Sequence, residues 1–447
     1  MSTTPAAAPL VRGIGLPQAT ALNVNNMIGI GPFITLPLMV AGMGGPHALL
    51  CWLVGAVVAI ADGLVWAELA SRLPGSGGTY VFLREAYGPR WGRLMSFLFL
   101  WQVCFEGPLS FASGSIGFSN YLGYLIPAVS GWRIKAAALG VAALVTFMLY
   151  RRITVIGRMG VLLAAGALVS LLLTTAAGFT LFDPARLLDL PADAFTLDAK
   201  FWQGLGDGSR LAIYAYLGYS NVCFLGDEVR EPSRTIPRSI LLAVGLVALL
   251  YVSMNAALLG AMPWREVAAS QYVAAVIVER AFGPAVGRLL AGLLLWTAFG
   301  SVFAILLAYS RVLYAAARDG QFFSIFARVH PRDHFPSVAV LALGAMAALF
   351  TLLPLDAVIT SVVVIAALVE YIGQNVGVHL LRKRRPDLPM PFRMWLYPLP
   401  SAIALLGWLF VLLTSRAFML VGLAFLATGV LAFVAHQRAR REWPFGD

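Results

Sequence analysis

Apolar residues run along this chain in long stretches separated by short polar segments, with little of the strict alternation that marks half-buried strands. Twelve stretches are long enough to be read as membrane-spanning helices. They cover about 17–42, 46–71, 93–126, 134–150, 154–180, 207–227, 237–262, 285–316, 336–353, 355–381, 395–414 and 416–437. The first is interrupted. Gly29-Ile30-Gly31-Pro32 falls near the middle of the apolar run from Leu16 to Ala41. Proline has no N–H to give and its ring clashes with the preceding turn. Glycine inside a helix costs about 0.5–1 kcal/mol relative to alanine. A helix broken at bilayer depth frees backbone N–H and C=O groups, which are tolerated only inside protein or around a wet cavity. The sixth stretch repeats the anomaly at Tyr214-Ala215-Tyr216-Leu217-Gly218-Tyr219-Ser220-Asn221. Five spans separate the two starts, so they enter the bilayer from opposite sides. Interrupted helices in matching places of two inverted halves point to a binding site between the halves.

Composition agrees with a membrane chain: 60% of the 447 residues are apolar, 12% are charged, and the mean hydropathy is +0.82. The net charge of +11 is an orientation signal, not a nucleic-acid footprint. With the N-terminus inside, 23 of the 32 Lys and Arg fall in inside segments and 9 in outside segments. That asymmetry puts both termini in the cytoplasm, with the chain in the cytoplasmic (inner) membrane. The run Arg382-Lys383-Arg384-Arg385 reads as a solvated stop signal, with anionic lipid as an alternative partner. The first 16 residues carry one positive charge, Arg12, and no apolar segment of their own, so no cleavable signal is expected. Cys51, Cys104 and Cys223 lie inside spans at unrelated positions and read as small core residues. No metal, cofactor or catalytic constellation is expected, and an enzyme is disfavoured.

Several motifs then occur in order. Asn25 to Phe33 carries the glycine-rich break. Trp66-Ala67-Glu68-Leu69 precedes Leu73-Pro74-Gly75-Ser76-Gly77-Gly78-Thr79-Tyr80. Phe224 to Arg238 contains Glu228-Val229, Glu231-Pro232 and Ile236-Pro237. Ser310-Arg311-Val312-Leu313-Tyr314 is followed by Ala317-Arg318-Asp319-Gly320. Arg384-Arg385-Pro386-Asp387-Leu388-Pro389 precedes Tyr397-Pro398. From about 17 to 437 the chain resembles the amino acid–polyamine–organocation superfamily of transporters, of the amino acid permease type. The resemblance implies an all-α integral membrane protein of 12 transmembrane helices. Five plus five form an inverted repeat (LeuT-like) with discontinuous helices 1 and 6, and two more follow at the C-terminus. The expected organisation is a cytoplasmic tail 1–16, a first repeat 17–180, an outside loop 181–206, a second repeat 207–381, two further spans over 382–437 and a cytoplasmic tail 438–447. Secondary active transport of amino acids by alternating access follows from it, proton-coupled or by exchange.

An amino acid presents a carboxylate and an ammonium. The amides of Ile30, Gly31 and Phe33, at the start of the outer half of span 1, suit the carboxylate. Gly29 and Gly31 allow close approach. The carbonyls near Met27 and Ile28 suit the ammonium. The resemblance adds Tyr214 and Leu217 carbonyls beside Gly218, makes Tyr214 an aromatic gate, and makes Ser220 a selectivity position. Ile30 departs from relatives, many of which carry serine or alanine there. Asp62, Glu106 and Glu370 lie inside spans, where an ion facing lipid costs about 2.5–3.5 kcal/mol on insertion scales. Each must face protein or a wet cavity, and each is a candidate for coupling. The resemblance sets Glu106 beside the substrate side-chain pocket. There it would favour a cationic substrate (a polyamine, basic amino acid or amine), bind and release a proton, or hold a neighbouring helix. The lysine that some relatives carry in span 5 is replaced by Ala167, and Ser301 is a lone hydroxyl candidate for sodium. Glu68, nearer the cytoplasmic end, is expected to cap a helix or pair with a loop arginine. A non-transporting receptor or channel is the alternative from another class. The expected partners are a small-molecule substrate and lipid, and no nucleic acid.

Overall fold

The computed structural model describes residues 12–75, 77–150, 156–331 and 335–444. Ser76 of the loop motif, Arg151-Arg152 and both extreme tails lie outside the described residues. Within them the chain is helical, with one isolated bridge between Ile14 and Val229. The first stretch is split into α1 (Leu16–Met27) and α2 (Gly31–Met43), bent by 45° at the break. Then come α3 (Leu49–Arg72), α4 (Thr79–Leu125), α5 (Trp132–Leu149) and α6 (Ile156–Thr180). Beyond the short α7 (Pro184–Leu187), α8 (Ala199–Tyr216) stops at the second break and a 3₁₀ segment, Asn221–Glu228, carries on. The rest comprises α9 (Pro232–Ala261), α10 (Trp264–Ala269), α11 (Val273–Phe282), α12 (Pro284–Arg318), α13 (Ser337–Phe350), α14 (Leu355–Ala366), α15 (Ile372–Arg384), α16 (Leu399–Thr414) and α17 (Ala417–Arg440). A π turn, Ala367–Tyr371, joins α14 to α15.

Among the described residues, seven helices are long and apolar enough to cross a bilayer, and the bent α1–α2 pair makes an eighth. Of the four remaining expected spans, 154–180 lies partly outside the described residues, and three fall short for identifiable reasons. α13 has 14 residues and α16 has 16; at 1.5 Å per residue they reach about 21–24 Å, less than the ~30 Å hydrocarbon core. α8 carries Lys200, Asp207 and Arg210, and it begins at 199, earlier than the boundary at 207. α4 likewise begins ahead of the expected 93, because the glycine-rich loop ends at Gly78; a non-helical Gly88 divides it.

Lipid-facing stripes are explicit. Leu53, Val57 and Ile60 on α3, Leu242, Leu246 and Leu249 on α9, and Leu406, Leu409 and Leu413 on α16 are exposed at helical spacing. The opposite faces are buried: Trp52, Tyr216 and Tyr251 are fully enclosed where α3, α8 and α9 meet, and Trp66 packs on Phe82, Tyr219 and Tyr371. Helix pairing is regular. α1 lies on α9 and α8 on α3; α6 on α9 and α15 on α3; α4 on α5 and α12 on α13; α4 along α12.

Candidate substrate-binding site

The ends of the two broken helices meet. α1 finishes with the Ile28 amide on the Val24 carbonyl at 2.9 Å and the Gly29 amide on the Met27 carbonyl at 2.9 Å. α2 then opens with Pro32 in its first turn. The amides of Ile30 and Gly31 have no protein acceptor among the described residues. At the second break the Leu217 amide closes on the carbonyls of Ile213 (3.1 Å) and Tyr214 (3.3 Å), and Gly218 turns the chain at φ +110°. The carbonyls of Ala215, Tyr216 and Leu217 are left with no donor among the described residues. One break thus presents donors and the other acceptors.

The breaks touch directly. Asn26 Nδ2 donates to the Gly218 carbonyl at 3.5 Å, and the Val222 amide donates to Asn23 Oδ1 at 3.0 Å. A Cβ on Gly218 would stand 2.7 Å from Asn26 Nδ2, and one on Gly31 would stand 3.3 Å from the Tyr214 ring. The two glycines are there because the helices approach through them. The Tyr214 hydroxyl is hydrogen-bonded to Ser113, which fixes the ring over Gly31.

A cavity of about 840 Å³ opens from this junction. Phe99, Val103, Ala304 and Ile305 give it an apolar wall, while Ser110, Ser220 and Ser301 supply hydroxyls. It extends to Arg84, Arg311, Arg318 and Asp319.

Glu106 and Glu370 stand on its wall. Gln102 Nε2 donates to Glu106 Oε2 at 2.7 Å and to Glu370 Oε2 at 2.8 Å. The Tyr309 hydroxyl donates to Glu106 Oε1 at 3.1 Å, and Thr79 Oγ1 to Glu370 Oε1 at 2.8 Å. Glu370 belongs to the π turn, a local change of register that recurs at functional sites. Asp62 is away from the cavity. It accepts from Tyr219 (2.6 Å), Asn375 (2.6 Å) and Trp408 (3.3 Å), tying α3 to the second break, α15 and α16. None of these three acids forms an ion pair among the described residues. Glu68 does: it is fully buried and chelated by Arg382, with Nε at 2.7 Å, and accepts the Met394 amide at 2.9 Å.

Of the site residues expected from sequence, Met27, Gly29, Ile30, Gly31, Glu106, Tyr214, Leu217, Gly218, Ser220 and Glu370 line the cavity. Ile28 and Phe33 do not. The Phe33 amide is taken by the Ile30 carbonyl at 3.1 Å, because the first turn of α2 tightens around Pro32. The Met27 carbonyl receives the Tyr251 hydroxyl at 2.8 Å, and the Tyr214 carbonyl closes its own helix, so neither is free. The basic run is solvated only in part: Arg382 turns inward to Glu68, while Lys383 and Arg384 are exposed, Arg384 bonding the Tyr87 carbonyl and Arg385 pairing with Asp387 and Glu85 at the surface. Sequence reasoning missed Asn26, Gln102 and Tyr309. Gln102 was detectable, since it lies one helical turn before Glu106 on the same face.

The comparisons agree with this architecture. The sequence model of the amino acid permease family matches residues 14–436. The chain is 26% identical to the branched-chain amino acid permease BcaP of Bacillus subtilis, over 96% of this chain and 94% of that one. It is 30% identical to the large neutral amino acids transporter small subunit 2 of Rattus norvegicus, over 94% and 80%. It is 29% identical to the Asc-type amino acid transporter 1 of Mus musculus, over 91% and 77%. With broken helices, a cavity at their junction and this match along nearly its whole length, the chain belongs to the amino acid permease family, a family of multi-pass membrane transporters of amino acids.

Proposed function

We propose that this permease carries neutral amino acids by alternating access, binding them where the two broken helices meet. The observation that carries the reading is the pairing of unsatisfied groups. The free amides of Ile30 and Gly31, at the positive end of α2, take the substrate carboxylate. The free carbonyls of Ala215 and Leu217, on the cavity wall, take the ammonium. Tyr214 covers the bound molecule, and its side chain extends along Val103, Ala304 and Ile305, with Ser220 at the rim. That wall suits an aliphatic side chain, in keeping with the branched-chain and large neutral amino acids for which two relatives are named. Each Glu106 oxygen already accepts one hydrogen bond, from Gln102 or from Tyr309, which ties the acid to the cavity wall.

Twelve spans with a five-plus-five inverted repeat fit the helix pairing. Span 1 on span 7 mirrors span 6 on span 2, span 5 on span 7 mirrors span 10 on span 2, and span 3 on span 4 mirrors span 8 on span 9. The repeats are 17–180 and 207–381, joined by 181–206 and followed by two spans over 382–437. The lysine and arginine asymmetry supports both termini on the cytoplasmic side of the membrane, and on that orientation the cavity reaching Arg84, Arg318 and Asp319 is inward-facing.

The test is uptake by the purified protein in liposomes. Leucine and similar neutral amino acids are expected to enter saturably, and a roughly tenfold excess of arginine or putrescine is expected not to compete. Competition by those cations, lost in Glu106→Gln, would establish the cationic reading instead. Flux without saturation would establish a channel. The orientation has its own check: a cysteine at Ala315, on the cavity wall, is expected to react with a membrane-impermeant thiol reagent from the cytoplasmic side only. The three native cysteines are buried.

A further inference from the structure

Glu106 and Glu370 are more than two acids near a cavity. They come from different helices, α4 and the π turn before α15, and meet on one NH₂ group, that of Gln102. Each of its two hydrogens serves one carboxylate. No Lys, Arg or His pairs with either acid among the described residues, so two negative charges there would face each other across a single neutral amide. The titratable groups around them add no positive charge: Tyr309 on α12, Tyr371 in the π turn, Asp62 on α3, and Tyr219 and Cys223 at the second break. Gln102 itself is fully buried and its Oε1 has no donor. Both acids reach the cavity wall, where water can deliver a proton to one of them.

We propose that Glu106, Gln102 and Glu370 form one proton-binding site in the wall of the substrate cavity, and that this proton travels with the amino acid. The inference rests on the transport reading above and adds the coupling ion and its place. The step balances simply. A proton from water bonds to a carboxylate oxygen and the local charge rises from −2 to −1, which relieves the repulsion across the Gln102 amide while the other carboxylate keeps its N–H donor. When the cavity opens to the other side the proton leaves to water. No cationic side chain is needed to hold the empty site, because the unprotonated acids keep the amide donors of Gln102, the hydroxyl of Thr79 and the hydroxyl of Tyr309.

The experiment uses the full chain in liposomes with radiolabelled leucine, an imposed proton gradient and a clamped membrane potential. Uptake is expected to rise as the outside becomes more acidic than the inside. Glu370→Gln is expected to lose that stimulation by on the order of tenfold or more, while leucine counterflow at equal pH falls much less. Gln102→Leu, which keeps both acids and removes their bridge, is expected to shift the pH midpoint of uptake. Undiminished gradient stimulation in Glu370→Gln, or an unshifted midpoint in Gln102→Leu, overturns the proposal. So does wild-type uptake indifferent to the gradient when counterflow is present. Wild-type protein with no leucine counterflow at all would instead sink the transport reading.

Discussion

Exchanging Gly218 for alanine is expected to stop amino acid uptake while leaving a folded protein. Two costs act at one residue. Its φ of +110° lies where side-chain-bearing residues are strained. The added methyl would also stand 2.9 Å from the Asn26 carbonyl oxygen as well as 2.7 Å from Asn26 Nδ2. The second atom can swing aside, but the first is backbone at the end of α1 and cannot move without the break itself moving. The free carbonyls of Ala215, Tyr216 and Leu217 immediately precede this point, so their aim at the Ile30 and Gly31 amides shifts with it. A displacement of about 1 Å in a positioning element costs roughly 10²-fold in rate where geometry is stringent, and a loss of that order is expected in liposome uptake. Gly42→Ala is the matched control. Gly42 sits on α2 with nothing within 4 Å of its would-be Cβ, so alanine there should leave uptake unaltered and favour the helix slightly. Uptake by Gly218→Ala within about twofold of wild type would show that the contact between the breaks does not position the site.

Breaking the ion pair between Glu68 and Arg382 is expected to cause the largest loss of stability. Glu68 is fully enclosed and the Arg382 side chain is only 13% exposed. The guanidinium grips the carboxylate through Nε and Nη2 and stacks 3.5 Å over the Tyr397 ring. Removing one partner of such a pair strands the other charge, at a cost of about 3–5 kcal/mol. Glu68→Leu or Arg382→Met should therefore lower the apparent melting temperature in detergent markedly. The double variant, which leaves neither member of the pair stranded, should recover much of the loss, short of the Met394 amide that Glu68 also satisfies and the negative charge it offers the buried Arg72. Single variants as stable as wild type, or a double variant worse than both, would contradict this account.

The contrast between these two predictions marks how far the sequence could be read. The breaks were legible because Gly29, Gly31, Pro32 and Gly218 are costly inside a helix wherever it sits, and that cost is local. That Glu68 would pair with an arginine was legible too, since it stands nearer the cytoplasmic end of its span, although the partner belongs to the last turn of α15 and not to a loop. Which arginine was not, because Arg382 lies more than 300 residues away and only packing of α15 on α3 brings it close. Amide bookkeeping at the first break also needed coordinates: whether the Phe33 N–H is free depends on how tightly the first turn of α2 winds. The π turn left no trace in the hydropathy pattern. An extra residue in one helical turn changes which face Glu370 occupies without changing the run of apolar residues around it. Span lengths were the least legible feature, since α13 and α16 are apolar enough but too short on their own.

The central claim is that one amino acid is held at both of its charged ends, by the amides of Ile30 and Gly31 and the carbonyls of Ala215 and Leu217. Competition against radiolabelled leucine uptake tests it directly, using leucine, its methyl ester and its N-acetyl derivative. The ester removes the carboxylate charge and the acetyl group removes the ammonium, while the side chain stays the same. Unlabelled leucine should compete, and both derivatives should lose at least about 10²-fold in apparent affinity, as expected when buried polar groups are left unpaired. If either derivative competes as well as leucine, the end it masks is not held at the junction of the broken helices, and the site lies elsewhere.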